Sequence, residues 1–196
     1  MSPQQRAIRS REAIVRAAAQ VVDRHGLRAA TLTRVSAEAG LSKGAVYFHF
    51  DDKDALASEL ETEAGRALDE LAAARAREDG PALPAVVETT RRLACRLSED
   101  VVVRAGFQVS CDRAGGDVPV LRRRLAGLLC RLLEDARSDG SLAPGMAVED
   151  VVATVLAVIV GVQILSRQPG AAREVPWVMD RFWHATLPVL TPGRPG

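Results

Sequence analysis

The chain has 196 residues, of which 47% are hydrophobic, 26% charged and 4% aromatic, and its formal net charge at pH 7 is +1. This length is enough for one compact domain, or for a small head on a larger body. The balanced charge excludes a protein that is polycationic throughout.

The charge is unevenly distributed. Residues 1–53 carry nine basic and five acidic residues, whereas the remainder carries 17 basic and 20 acidic ones. A basic head on a mildly acidic body fits nucleic-acid binding by the head. A chance fluctuation in composition is the alternative explanation.

The N-terminal residues are polar and lack the apolar segment of a signal peptide. We expect residues 1–10 to be flexible, with Arg6, Arg9 and Arg11 either touching DNA phosphates or the minor groove, or staying solvated. Apolar residues then recur at helical spacing, at Ile14, Ala17, Ala18, Val21 and Val22. This spacing predicts a first helix that ends near His25 and Gly26.

Residues 31–53, TLTRVSAEAGLSKGAVYFHFDDK, predict a short helix, a tight turn and a second short helix. Thr33 is expected to cap the first helix, Gly40 to end it with a positive φ, and Ser42 to cap the second. The pattern is typical of a helix-turn-helix, whose second helix enters a DNA major groove. A small helical corner with ordinary caps is the alternative.

The second helix carries residues suited to DNA. Gly44 and Ala45 are small enough for close approach of a groove wall, and Lys43 can donate to a guanine edge or a phosphate. Tyr47 and His49 have polar tips that can reach phosphates. Three apolar residues are expected to anchor the helix to its own domain: Val46, Phe48 and Phe50.

The rest of the chain predicts further helices. Acidic residues from Asp51 onward suit the start of a helix that continues as an apolar stripe from Leu56 to Leu71. Gly80-Pro81 marks a break. We expect four more helices and one short apolar segment, at about 84–97, 101–111, 118–139, 148–166 and 175–190, which makes the protein all-α.

The apolar run of residues 151–165 falls short of the roughly 18 residues of a membrane span, so it predicts a buried or interface helix and no membrane partner. The cysteines are three in number and widely spaced, which indicates reduced thiols in the cytoplasm. The histidines, His25, His49 and His184, show no metal spacing and no catalytic constellation. We therefore expect no metal site, no cofactor and no enzymatic activity.

Residues 31–53 resemble the DNA-binding domain of TetR-family transcriptional regulators. The matching residues are Ala39-Gly40, Ser42, Gly44, Tyr47, His49-Phe50, Lys53 and Leu56. The resemblance implies a helix-turn-helix head (1–52), a helical ligand-binding and dimerisation body (53–190) and a tail (191–196), which we expect to be disordered. It also implies a cytoplasmic homodimer on a palindromic operator, usually a repressor released by a small hydrophobic effector.

Residue by residue, the resemblance implies roles at the DNA. Lys43 and Gly44 would approach bases, whereas most of the others would fix the register through phosphates. The implied DNA-binding residues are Thr33, Arg34, Ser42, Lys43, Gly44, Ala45, Tyr47, His49 and Lys53. The last two helices of each subunit would form a four-helix dimer interface.

Short pieces of the body resemble the γ-butyrolactone receptor branch, which governs antibiotic production and differentiation in filamentous actinobacteria. These pieces are Arg104–Phe107, Asp117–Pro119, Gly161–Gln163 with Leu165-Ser166, and Trp183 with Leu187-Pro188. That branch follows its Val-Pro pair with an aromatic residue and a tryptophan that covers the ligand. No aromatic residue follows Val118-Pro119 here, which favours a pseudo-receptor answering to an antibiotic or intermediate, a different signal, or none.

The expected inward faces of the body helices provide candidates for effector contact, although plain core packing is the more common role for each such residue. They are Phe107, Leu121, Leu125, Leu128, Val155, Ile159, Gln163 and Trp177. Two other functional classes stay open. One is a TetR-like repressor of an efflux or catabolic gene that answers an unrelated ligand. The other is a helical protein that binds small molecules or assembles with partners without binding DNA.

Overall fold

A computed structural model describes residues 2–75, 80–168 and 170–192 of the chain, and the regular elements of these residues are helices. A single 3₁₀ turn, Leu27–Ala29, follows the first helix. The helices are α1 Pro3–His25, α2 Leu32–Ala39, α3 Lys43–His49, α4 Lys53–Arg75, α5 Ala82–Glu99, α6 Val101–Arg113, α7 Val120–Ser138, α8 Val148–Leu165 and α9 Ala171–Leu190. The predicted all-α class is confirmed.

The N-terminal segment is helical, so the expectation of a flexible arm over residues 1–10 is wrong from residue 3 onward. Ser2 Oγ accepts a hydrogen bond from the Gln5 backbone N–H, and Gln5 Oε1 accepts one from the Ser2 N–H. This reciprocal capping box, with Pro3 in the first turn, satisfies two backbone N–H groups that would otherwise lack partners.

The chain divides into two compact units. The first comprises residues 1–67 and 100–121, and the second comprises residues 68–99 and 122–196. The boundary predicted after residue 52 does not coincide with this division, because α6 packs with α1. The functional division into head and body stays a prediction. Residues 193–196 of the expected tail lie outside the described part of the chain.

The core of the first unit joins α1, the helix-turn-helix and the first half of α4 to α6. Its members include Ile14 and Val22 of α1 and Leu56 and Leu60 of α4, as the sequence spacing predicted. Helix α6 adds Ala105 and Val109 to the same cluster. Arg104 of α6 also pairs with Asp23 of α1, with Arg104 Nε 2.9 Å from Asp23 Oδ1.

Gly106 lets α6 approach α4 more closely than any other residue would. A Cβ atom at this position would lie 2.3 Å from the Leu60 carbonyl oxygen and 2.6 Å from Ala64 Cβ. Both distances are far inside van der Waals contact, so the crossing of these two helices requires glycine.

The second unit is built around α5, α7, α8 and α9. Trp183 of α9 is buried, and its Nε1–H donates to Thr90 Oγ1 of α5 at 2.8 Å. Helix α9 begins one turn earlier than the residue 175 we expected, with Gly170 at its N-cap, and contains Pro176. Thr191 closes its C-terminus through an N–H donated to the Leu187 carbonyl.

Helix α8 is longer than the apolar run 151–165 indicated. It has 18 residues with a mean hydropathy of 2.1, and 33% of it is buried. By length and composition alone it could cross a membrane, which corrects the expectation that the segment is too short. A single such helix is weak evidence, because interior and interface helices of soluble proteins have the same composition.

Candidate DNA-binding site

The turn between α2 and α3 has the local structure of a helix-turn-helix. Helix α2 begins one residue after Thr31, whose Oγ1 accepts a hydrogen bond from the Arg34 N–H at 3.2 Å. The predicted cap, Thr33, lies inside the helix, so that assignment is wrong. Gly40 ends α2 in the left-handed region with φ of 64°, as predicted, and the Leu41 N–H closes the turn on the Ser36 carbonyl.

Ser42 caps α3, as predicted. Its Oγ accepts a hydrogen bond from the Ala45 N–H at 3.2 Å. Two apolar side chains of this segment, Val46 and Phe50, are buried in the core of the first unit. The remaining face of α3 is therefore held toward solvent.

The predicted DNA-binding residues of α2 and α3 form one accessible surface. Thr33, Arg34, Ser42, Lys43 and Gly44 are exposed. The exposed fraction of Tyr47 is 54%, whereas Ala45 and His49 are half-buried. This surface combines two cations, hydroxyl groups and an open backbone, which suits phosphates and base edges.

Phe48 does not anchor the helix, so that expectation is wrong. Its side chain is 78% exposed, and the ring contact it makes is an edge-on one with His49, with centroids 5.1 Å apart. Helical geometry explains this position. Phe48 stands two residues after Val46, which places it about 200° around the helix from that buried side chain. The spacing in the sequence could have revealed this.

Lys53 opens α4 and is partly engaged within the protein. Its Nζ donates to the Arg28 carbonyl in the 3₁₀ turn at 3.2 Å, while Asp52 Oδ1 accepts from the Ala55 N–H and caps the helix. An ammonium group has three donors, so one bond to Arg28 leaves two for a phosphate. The bond also connects the start of α4 to the 3₁₀ turn that follows α1.

A charged pair that was not predicted from the sequence lies next to Phe50, at the C-terminal end of α3. Arg11 of α1 and Glu59 of α4 form an ion pair at 2.7 Å, and the Arg11 guanidinium lies 5.4 Å from the centroid of the Phe50 ring. The hydrogen bond to Glu59 raises the pKa of Arg11. Burial by itself raises the pKa of Glu59, but the hydrogen bond and charge of Arg11 outweigh it, so this pKa lies below its usual value.

The candidate effector residues divide between the two units. Phe107 and Leu121 are buried in the first unit, whereas Leu125, Leu128, Val155 and Ile159 are buried in the second and Gln163 is half-buried there. Trp177 is 63% exposed, so its expected inward orientation is wrong. Val155 lines a cleft of about 270 Å³ between α8 and α9, together with Phe182.

Within the described ranges, no cluster of His, Cys, Asp and Glu suits a metal ion.

Comparison with known proteins places this geometry in a family. Residues 14–60, from α1 into α4, match the family described as "Bacterial regulatory proteins, tetR family". The HTH-type transcriptional repressor BepR of Brucella suis is 30% identical over 165 residues, which cover 79% of this chain and 79% of BepR. The chain belongs to the TetR family.

Other relatives of this TetR-family regulator indicate its branch. The A-factor receptor protein of Streptomyces griseus is 25% identical over 190 residues, covering 97% of this chain and 67% of the relative. A crystal structure of a γ-butyrolactone receptor, an ArpA-like protein, superposes with a TM-score of 0.82 at 25% identity, covering 95% of this chain and 90% of that one. The chain is thus a TetR-family regulator similar to the ArpA-like branch.

A further solved structure includes DNA. CprB from Streptomyces coelicolor, in complex with its biological operator sequence, superposes with a TM-score of 0.80 at 27% identity and covers 95% of this chain and 90% of CprB. The helix-turn-helix predicted from residues 31–53 is therefore confirmed as that of a DNA-binding transcriptional regulator. The roles of the individual residues at DNA stay predictions.

Proposed function

We propose that this TetR-family protein is a cytoplasmic, homodimeric repressor that binds a palindromic operator and releases it on binding a small hydrophobic effector. One observation carries the proposal: the capped helix α3 turns Lys43, Gly44, Tyr47 and Phe48 to solvent while Val46 and Phe50 hold it in the core. A rigid, accessible helix of this kind is what major-groove recognition requires.

At the operator, α3 lies in the major groove with Lys43 and Gly44 at the base edges. Tyr47 and His49 fix the register through phosphates, and so do the hydroxyls of Thr33 and Ser42. Two further cations, Arg34 and Lys53, add phosphate contacts. The bond from Lys53 to the Arg28 carbonyl supports its role, because it holds this ammonium group near the start of α4.

Dimerisation uses α8 and α9. The single chain leaves an apolar surface on these helices, including exposed Ala157, Ile164, Trp177 and Val189. Burying such a surface against a second copy stabilises a four-helix interface. A two-fold dimer then presents two α3 helices about 34 Å apart, one turn of DNA, or a multiple of that distance. Trp177 fits this interface better than an effector pocket, because it faces solvent.

The effector is a small hydrophobic molecule, either of the γ-butyrolactone type or an antibiotic or biosynthetic intermediate, and the controlled genes belong to secondary metabolism. The similarity to the A-factor receptor supports this range. The absence of an aromatic residue after Val118-Pro119 favours an intermediate or antibiotic over a lactone. Release follows only if the effector binds the DNA-incompetent conformation more tightly than the competent one.

A second candidate is a repressor of an efflux or catabolic gene that answers an unrelated hydrophobic ligand. The 30% identity to the repressor BepR favours it. Both candidates are DNA-binding repressors without enzymatic activity, so they differ in their genes and ligands. A genomic footprint of the bound sites separates them, because the neighbouring genes reveal the pathway under control.

The DNA-binding function itself is tested by mobility shifts on duplexes from the region upstream of the protein's own gene. Specific binding should disappear when two bases are changed in each half-site. Binding that falls with salt but ignores sequence would contradict the proposal, because phosphate contacts alone produce that behaviour.

A further inference from the structure

Among the large hydrophobic side chains of the described residues, Phe48 of α3 is the most exposed, at 78%. It lies about 200° around the helix from the buried Val46. Tyr47 and His49 lie about 100° to either side of it, and Lys43 lies about 140° away in the first turn. The centre of the recognition surface is therefore an aromatic ring, with polar groups at its edges.

The surface beside this ring is open. Gly44 precedes Phe48 by one helical turn, and a Cβ atom there would meet only Ser42 Oγ, at 3.9 Å. The Phe48 ring does not cover that position, so both the ring and the Gly44 backbone are open to an approaching base edge.

An exposed phenyl ring on this helix selects a particular feature of DNA. A phenyl ring can neither donate nor accept a conventional hydrogen bond, so it gains nothing from the polar edges of guanine, cytosine or adenine. The 5-methyl group of thymine is the apolar group that base edges present in the major groove. Packing the ring on this methyl group would remove apolar surface of both partners from water.

We propose that Phe48 is a specificity-determining residue that reads a thymine in each half-site through its 5-methyl group. The inference rests on the proposed function, since it requires α3 to lie in the major groove. Lys43 remains the donor to a guanine or phosphate at the flank of the same helix, so the apolar contact and the polar contact read different base pairs.

The test begins with an operator selected by the full-length protein from random-sequence DNA duplexes. Each thymine of the selected operator is then replaced singly by uracil, which removes one methyl group and keeps the base pairing. Loss of one buried methyl contact should weaken binding about fourfold in one half-site, and roughly fifteenfold when both half-sites are changed. The effect should be confined to one thymine position in each half-site.

Three variants assign the effect to Phe48. Phe48→Ala should bind the thymine operator at least about tenfold more weakly and bind the thymine and uracil duplexes equally. Phe48→Leu, which keeps an apolar side chain, should retain part of the preference. Tyr47→Phe is the matched control on the neighbouring ring, and its preference for thymine over uracil should equal that of the natural protein.

The outcomes separate this inference from the proposed function. A protein that selects no sequence at all overturns both. A selected operator with no uracil-sensitive position, or a preference that persists in Phe48→Ala or disappears in Tyr47→Phe, overturns the role of Phe48 alone. Because Phe48 is exposed, all three variants should keep the natural circular dichroism spectrum.

Discussion

Arg11 and Glu59 form an ion pair at 2.7 Å that joins α1 to α4. The same guanidinium lies 5.4 Å from the centroid of Phe50, the residue that follows α3. The pair therefore links α1 and α4 to the C-terminal end of the recognition helix. We infer that it holds α3 in position without itself touching DNA.

Glu59→Gln should change operator affinity in the direction opposite to the one expected from its charge. Glu59→Gln removes a negative charge from the DNA-binding unit, which by electrostatics alone should strengthen DNA binding. If the pair positions α3, specific operator affinity should instead fall, by about threefold to tenfold, or roughly 1 kcal/mol. Fluorescence anisotropy with a labelled operator measures the change.

Glu61→Gln is the matched control for this experiment. It makes the same charge change on the same helix, but Glu61 pairs with Arg113 of α6 at 3.0 Å. Its operator affinity should be unchanged or slightly higher. Tighter specific binding by Glu59→Gln would show that the ion pair does not position α3.

The depressed pKa of Glu59 predicts a dependence of stability on pH. The pKa is lower in the folded than in the unfolded chain, where it is about 4.3. The ionised carboxylate thus stabilises the fold above that value, and its contribution is lost as the pH falls through the folded-state pKa. The difference in unfolding free energy between natural protein and Glu59→Gln should be the same at about pH 7 and pH 5.5 and smaller at about pH 3.5.

Urea unfolding followed by circular dichroism at these three pH values measures that difference. Carboxylates that do not contact Glu59 affect both proteins alike, so subtraction isolates Glu59 together with Glu63, to which it is hydrogen-bonded. A difference that stays constant down to the lowest pH would mean that the folded and unfolded pKa values of Glu59 are equal.

Gly106→Ala should destabilise the first unit. Its added Cβ would lie 2.3 Å from the Leu60 carbonyl oxygen, which is backbone and cannot move aside without shifting α4 against α6. We expect a loss of about 1–3 kcal/mol in unfolding free energy. Gly127→Ala is the control within α7, where the nearest atom is Arg131 Nη1 at 3.6 Å. It should be neutral, or stabilising by up to about 1 kcal/mol. Equal effects of the two changes would contradict the close helix crossing.

Lys43→Ala should weaken operator binding while leaving the fold unchanged, because the side chain is exposed at the start of α3. If Lys43 contacts a base, its loss should cost about 1–3 kcal/mol of binding free energy and relax specificity at one base pair. If it contacts a phosphate, its loss should weaken binding to all sequences alike and lower the salt slope, which is the slope of log affinity against log salt concentration, by about 1. Competition shifts at several salt concentrations distinguish the two roles. Arg123→Ala, which removes an exposed cation from α7, should leave affinity and salt slope at their natural values. If the Lys43→Ala variant bound the operator with the affinity of the natural protein, Lys43 would not contact DNA.

Ala157→Glu should prevent dimerisation. Ala157 is exposed on α8 in the single chain, so the change disrupts no internal packing, but it would place an uncompensated charge in the proposed four-helix interface. Sedimentation velocity should show a monomer with natural helical content. Ala73→Glu, at an exposed position of α4, is the control and should stay dimeric. If the Ala157→Glu protein remained a dimer, Ala157 would not lie in the dimer interface.

Much of the helix-turn-helix could be predicted from the sequence, because its signals are local. Gly40 and Ser42 have the roles expected from their neighbours, since a left-handed turn and a helix cap depend on a few adjacent residues. Thr31 and Thr33 show the limit of such reasoning. Either hydroxyl could cap α2, and in the folded chain it is Thr31 whose Oγ1 accepts from the Arg34 N–H.

Composition, periodicity and short-range spacing were enough to predict the succession of helices, the basic N-terminal part and the family resemblance of residues 31–53. Only the folded chain shows that α6 joins the DNA-binding unit, that Gly106 lies against the Leu60 carbonyl, and that Arg11 pairs with Glu59. These contacts connect residues more than 40 positions apart. Their partners are selected by shape and charge complementarity in the folded chain, which no local pattern records.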